Sequence, residues 1–122
     1  MTPDPLTLPP TATVGEAYSL MRDRGFRHVP VTEGPLLLGL VSMTDVGHLG
    51  ATVPELLAKP LHEVMTKKLV ACKPEVSVAA AATMMASKKI NCLLVCVDAK
   101  LVGIVTTYDL LDALARNLRE EN

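Results

Sequence analysis

GLVSMTD, residues 39–45, returns 64 positions later as GIVTTYD, residues 103–109. Each copy runs glycine, two apolar residues, a hydroxyl side chain, two variable positions and an aspartate. The likeness extends well beyond the motif. At the same offset the halves align without a gap from residue 1 through 49, placing Pro10 on Pro74, Val14 on Val78, Ala17 on Ala81 and Met21 on Met85. Val31 meets Val95, Leu37 meets Leu101, Asp45 meets Asp109, and Met1-Thr2 meets Met65-Thr66. Self-similarity at a fixed period marks a duplicated supersecondary unit and outranks residue-by-residue assignment.

Both copies carry the same periodicities. Val14, Ala17, Tyr18 and Met21 recur at helical spacing, as do Val78, Ala81, Ala82 and Met85. Thr13 and Ser77 precede these runs as N-cap residues. An apolar strand follows in each half, RHVPV or CLLVCV, then a short turn, TEGP or DAK, and a second strand, LLLGLV or LVGIV. A second helix closes each copy; in the C-terminal one Leu110, Leu111, Leu114 and Leu118 are expected on one face. The pattern predicts an α/β chain of the α+β kind, two β-α-β-β-α repeats at residues 1–50 and 65–118, with a tail at 119–122. Between them, residues 51–64 predict a helical connector: Thr52 and Glu55 form a capping box around Pro54, and Pro60 ends the helix. A half of roughly 50 residues is too small to bury an adequate core alone. The repeats are therefore expected to pack together about a pseudo-twofold axis.

Composition narrows the function classes. At 49% hydrophobic and 20% charged, the chain is expected to fold around a core. No apolar run approaches the roughly 20 residues of a membrane span. The opening MTPDPLTLPP lacks the basic and apolar regions of a signal peptide, so a cytoplasmic location is expected. Net charge is −1 with scattered cations, which argues against duplex nucleic acid as a partner. Tyr18, Phe26 and Tyr108 are the whole aromatic set, too few for a base-stacking platform. Cys72, Cys92 and Cys96 read as reduced thiols; Cys92 and Cys96 lie about 13 Å apart along a strand, beyond disulfide reach. There is no glycine-rich phosphate loop, no G-x-S-x-G, no metal-ligand cluster and no Cys–His pairing. Neither an enzyme nor a bound cofactor or metal is expected.

The order and duplication of VMT, a proline lead-in to VxxA, RHVPV, and GLVSMTD or GIVTTYD resemble a tandem pair of cystathionine-β-synthase (CBS) domains from Met1 to about Leu114. The resemblance implies a stand-alone regulatory module that binds AMP, ADP, ATP or S-adenosylmethionine in clefts between its halves. It also implies a homodimer, and a partner protein as the regulated target.

Asp45 and Asp109 fall in the first turn of a helix after a buried strand, where a carboxylate can accept hydrogen bonds from both ribose hydroxyls. The resemblance gives Ser42 and Thr106 ribose- or phosphate-facing roles beside them. The same spacing is also a helix-capping arrangement, and the two readings are compatible. By resemblance, Arg27 and His28 reach a phosphate, and Thr2 and Thr66 lie at a cleft edge. Leu6, Val70, Val29 and Leu93 are the candidate walls for the base. Asn91 and Cys92 stand where Arg27 and His28 stand in the first copy, so phosphate recognition is expected to be asymmetric. The competing reading is a ligand-free dimerisation or docking scaffold, which would not need the paired aspartates.

Overall fold

The computed structural model describes residues 2–44, 46 and 53–121, with Thr2, Glu120 and Glu121 by their backbone only. In chain order the elements are β1 (Thr2–Pro3), α1 (Val14–Arg24), β2 (His28–Glu33), β3 (Leu36–Ser42), a 3-10 helix (Pro54–Ala58), α2 (Leu61–Val64), β4 (Ala71–Cys72), α3 (Val78–Lys88), β5 (Cys92–Val97), β6 (Lys100–Thr106) and α4 (Thr107–Glu121). The chain divides into a central unit, Leu6–Leu69, and a terminal unit made of Met1–Pro5 and Val70–Asn122.

In the central unit, α1 begins at a complete capping box. Thr13 Oγ1 accepts from the Glu16 amide at 3.1 Å, and a Glu16 carboxylate oxygen accepts from the Thr13 amide at 3.4 Å. It ends at Gly25, whose φ of 73° is the left-handed turn that glycine adopts without a Cβ penalty. Strands β2 and β3 pair antiparallel, but the register steps from Val31↔Gly39 to Thr32↔Leu37, leaving Leu38 as an extra residue. A Cβ on Gly39 would run into the Met65 side chain, so the motif's glycine leaves room for Met65 against β3. Val14, Ala17 and Met21 of α1 pack with Val29, Val31, Val41 and Leu61 to form the core. Fully burying each large apolar side chain contributes about 1.5–3 kcal/mol.

The terminal unit repeats this plan. Ser77 Oγ accepts from the Ala80 amide at 3.0 Å to start α3. β5 and β6 pair antiparallel with a step from Val95↔Gly103 to Cys96↔Leu101, so Val102 is extra, as Leu38 is at the aligned position. β4 runs parallel to β5, and β1 pairs antiparallel with β6 through Thr2↔Ile104 and Pro3↔Gly103. Ala81, Met85, Leu93, Val95 and Val105 form the core, with Leu110 packed against it.

Three expectations need adjusting. The units are not the sequence repeats, because each lead-in pairs with the other copy's second strand: Thr66 exchanges both backbone hydrogen bonds with Leu40, at 2.9 and 3.0 Å, as Thr2 pairs with Ile104. The connector is a 3-10 helix whose N-cap is Val53, without a side-chain cap; Thr52 lies outside the described residues. Pro60 does not simply end it but stands as N-cap to α2, since its fixed φ suits a helix entrance. On α4, Leu110 packs against the core while Leu111, Leu114 and Leu118 are exposed: the four span a stripe of about 100° at 3.6 residues per turn, and Leu110 lies at the edge of it that meets the core. Among the described residues, no helix is long and apolar enough to cross a membrane.

Candidate ligand site

In the terminal unit the motif's hydroxyl and acid meet at the junction of β6 and α4. Asp109 Oδ2 accepts from the Thr106 amide at 2.9 Å, and the Asp109 amide donates to Thr106 Oγ1 at 3.3 Å. The capping arrangement is therefore present. It uses one carboxylate oxygen; among the described residues nothing donates to Oδ1. Both residues are half-buried, so a ligand can still reach them.

Cys92 faces Thr106 across the β5–β6 ladder. Burial, and then the charge of Asp109, push its thiol up to about 12. The thiol is therefore un-ionised at neutral pH. Thr107 ties the corner to the start of β5: its amide donates to Asn91 O at 3.1 Å, and its hydroxyl lies 3.4 Å from Asn91 O and 3.5 Å from Asn91 Oδ1. Next to it is a groove of about 280 Å³, with Ser77 and Ala81 on the α3 side, Asp109 and Ala113 on the α4 side, and Val95 and Val105 from β5 and β6.

The central unit builds the matching corner. Ser42 ends β3, half-buried and opposite His28 in the ladder. The Met43 amide donates to the exposed Arg27's carbonyl at 2.8 Å, the same bond that Thr107 makes to Asn91. Asp45 lies outside the described residues.

The remaining candidates separate. Thr66 is exposed, with its backbone committed to Leu40. Thr2 lies in β1, and its side chain is outside the description. Leu6 is 43% exposed, and Val70 is half-buried against the terminal core. Val29 and Leu93 are 0% exposed within the cores, so these two assigned walls have no surface to offer a base. The proximity of Cys92 to Asp109 and the Asn91–Thr107 tie went unread; the repeat alignment of Arg27 with Asn91 was the available signal. Among the described residues no group of three or more His, Cys, Asp or Glu could hold a metal ion.

Comparison with known proteins agrees with this architecture. The family profile of the CBS domain matches residues 1–48 and 61–116. The CBS domain-containing protein YhcV of Bacillus subtilis is 33% identical over 110 residues, covering 90% of this chain and 79% of that one. The inosine-5'-monophosphate dehydrogenase of Korarchaeum cryptofilum is 36% identical over 107 residues, which are 87% of this chain but only 21% of the enzyme. Among solved structures, an acetoin utilization protein (AcuB) from Vibrio cholerae superposes with a TM-score of 0.88 at 34% identity, covering 100% of this chain and 93% of that one. CBSX2 in complex with AMP superposes with a TM-score of 0.81 at 24% identity over 95% of this chain and 93% of its own, a likeness of fold. Duplicated motif, fold and profile agree: the chain belongs to the CBS domain family, whose domains are regulatory modules, and carries two of them.

Proposed function

We propose that this chain is a ligand-sensing regulatory module that binds adenosine-containing nucleotides and passes the signal to a partner protein. The observation that carries the reading is Asp109: a half-buried carboxylate that lines a groove, with one oxygen that accepts no hydrogen bond among the described residues. A ribose offers two adjacent hydroxyl donors to such a group, and each hydrogen bond to a charged acceptor contributes about 1.5–3 kcal/mol. A micromolar complex needs about 8 kcal/mol, so the aspartate supplies a substantial share. The groove volume is just below the roughly 300–1,000 Å³ of small-molecule sites. The AMP complex of CBSX2 supports the ligand class. By sequence, Asp45 is the counterpart in the first repeat.

Thermal unfolding with AMP, ATP and S-adenosylmethionine tests this. A ligand at 100 times its dissociation constant adds about 2.7 kcal/mol of stability. That gain should disappear in Asp109→Ala for the ligand bound there, while Asp109→Asn, which keeps a cap acceptor, reports whether the fold survives. An unchanged titration in a folded variant removes Asp109 from the site.

A dimerisation scaffold is the second reading, favoured by α4. Leu111, Leu114 and Leu118 are 59%, 55% and 52% exposed, on a helix whose Asp109 and Asp112 precede Arg116 and Arg119. An antiparallel second copy would cover the leucines and set acids against bases. Leu114→Glu should convert a dimer into a monomer in light scattering. If it does, and no adenosine compound shifts the melting curve, the scaffold alone stands.

A further inference from the structure

Leu61 fills in the central unit a place that stays open to solvent in the terminal one. It is 0% exposed, in one core cluster with Val14, Ala17, Val31 and Val41, and the connector delivers it there. Backbone bonds hold it in. The Leu61 amide donates to Ala12 O at 2.8 Å, the His62 amide to Pro10 O at 3.1 Å, and the Val14 amide to Lys59 O at 2.9 Å. Pro60 bridges antiparallel to Thr13 between these bonds. The connector thus runs extended along the entry to α1 and turns into α2 at its leucine.

At the offset of 64, Val14, Ala17, Val31 and Val41 become Val78, Ala81, Val95 and Val105. These four line the groove of about 280 Å³ in the terminal unit. Val78 is 61% exposed, whereas Val14, covered by the connector, is 1% exposed. The backbones are set alike: the Val76 amide donates to Lys73 O as the Ala12 amide donates to Pro9 O, and Ser77 caps α3 as Thr13 caps α1. Among the described residues, nothing bonds the Pro74 carbonyl, the Val76 carbonyl or the Val78 amide, which stand where Pro10, Ala12 and Val14 bond the connector. The 3-10 helix has no such match. A Cβ on Gly15 would meet Leu57 O at 3.2 Å, and Ala79 stands at the aligned position. The bonds of Lys59, Leu61 and His62 do not involve that position.

We infer that the terminal groove is a docking site for a partner polypeptide that enters extended through a proline and inserts the leucine that follows it, as Lys59-Pro60-Leu61 does in the central unit. Three backbone hydrogen bonds set the direction and register of the segment, and the apolar walls select its side chain. The inference goes beyond the nucleoside reading. None of these contacts uses Asp109, so either can fail alone.

A peptide of residues 58–64, titrated calorimetrically into the full chain, tests this. It should bind one equivalent, and its Leu61→Asp form should bind at least tenfold more weakly. Val78→Glu sets a charge in the groove at an exposed position of the first helical turn, where an acid suits the helix. It should abolish binding and leave the melting curve in place. The same segment fused directly ahead of Met1 falls in register, because Thr2 pairs with Ile104 as Thr66 pairs with Leu40. The fused chain should melt about 4–8 °C higher and take up no free peptide, a gain that misfolding cannot produce. Peptide binding that survives Val78→Glu would overturn the inference. So would no heat with the peptide together with no gain in the fused chain; melting with AMP and light scattering would then assign the groove to a nucleotide or to a second copy.

Discussion

The first repeat turns the chain with glycine at Gly25 and Gly34, at φ of 73° and 59°. The second reaches the same left-handed conformation at the aligned positions with Lys89, at 54°, and Asp98, at 56°. A side chain there costs about 1–2 kcal/mol per residue in Cβ–carbonyl repulsion. The bulges at Leu38 and Val102 also correspond. The backbone plan is thus held by the ladder and the cores, and the turn residues adapt to it. What differs between the repeats is local: their turns, their caps and the charges at their corners.

The largest test of the comparison lies in the cores. Val29 and Leu93 are aligned and fully buried. Leu93→Ala should cost about 3 kcal/mol in urea unfolding, and Val29→Ala about half that, since fewer methyl groups are lost. Equal, small losses would mean that these positions do not anchor matching cores.

Alkaline pH should act next. Folded Cys92 holds its proton to about 12, against an ordinary value of 9.0. Above the ordinary value the unfolded chain binds fewer protons than the folded one, so stability falls as pH rises through that window. The loss approaches about 1.4 kcal/mol per pH unit. Between about pH 8 and about pH 10, the native chain should lose about 1.4 kcal/mol more than Cys92→Ala. Identical slopes would place Cys92 in solvent.

Turn substitutions should be stabilising. Lys89→Gly is expected to gain about 0.5–1 kcal/mol, after the added freedom of the unfolded chain is subtracted. Asp98→Gly should gain less, about 0.3 kcal/mol, because aspartate tolerates this conformation. A loss of stability in both would show that the side chains hold the turns.

The smallest effect concerns the caps. Thr13 has its reciprocal Glu16, whereas Ser77 has Ala80 at that place. Ala80→Glu should complete the second box and raise stability by about 0.3 kcal/mol, with most of the gain lost in high salt.

Much of the fold was legible because the 64-residue offset aligns two sets of helical and strand patterns. The corner was legible too, since the motif spans the end of a strand and the first turn of a helix, where hydroxyl and acid have few other places to go. The walls were not. β2 and β5 are buried on both faces, so no polar alternation showed which way Val29 and Leu93 point. Nor was the exchange of lead-ins, because pairing of Thr66 with Leu40 is made by backbone groups and leaves no side-chain periodicity. The left-handed Lys89 and Asp98 could have been found by aligning them with glycines.

That exchange sets an order on synthesis. Of the described elements β1 is translated first, yet its partner Ile104 is 102 residues behind Thr2. At about 5–20 residues per second the strand waits roughly 5–20 s for a neighbour, while every residue of the central unit is translated in the interval. The proline-rich start, with Pro3, Pro5, Pro9 and Pro10, suits that delay, because it offers few amide donors to a stray strand edge.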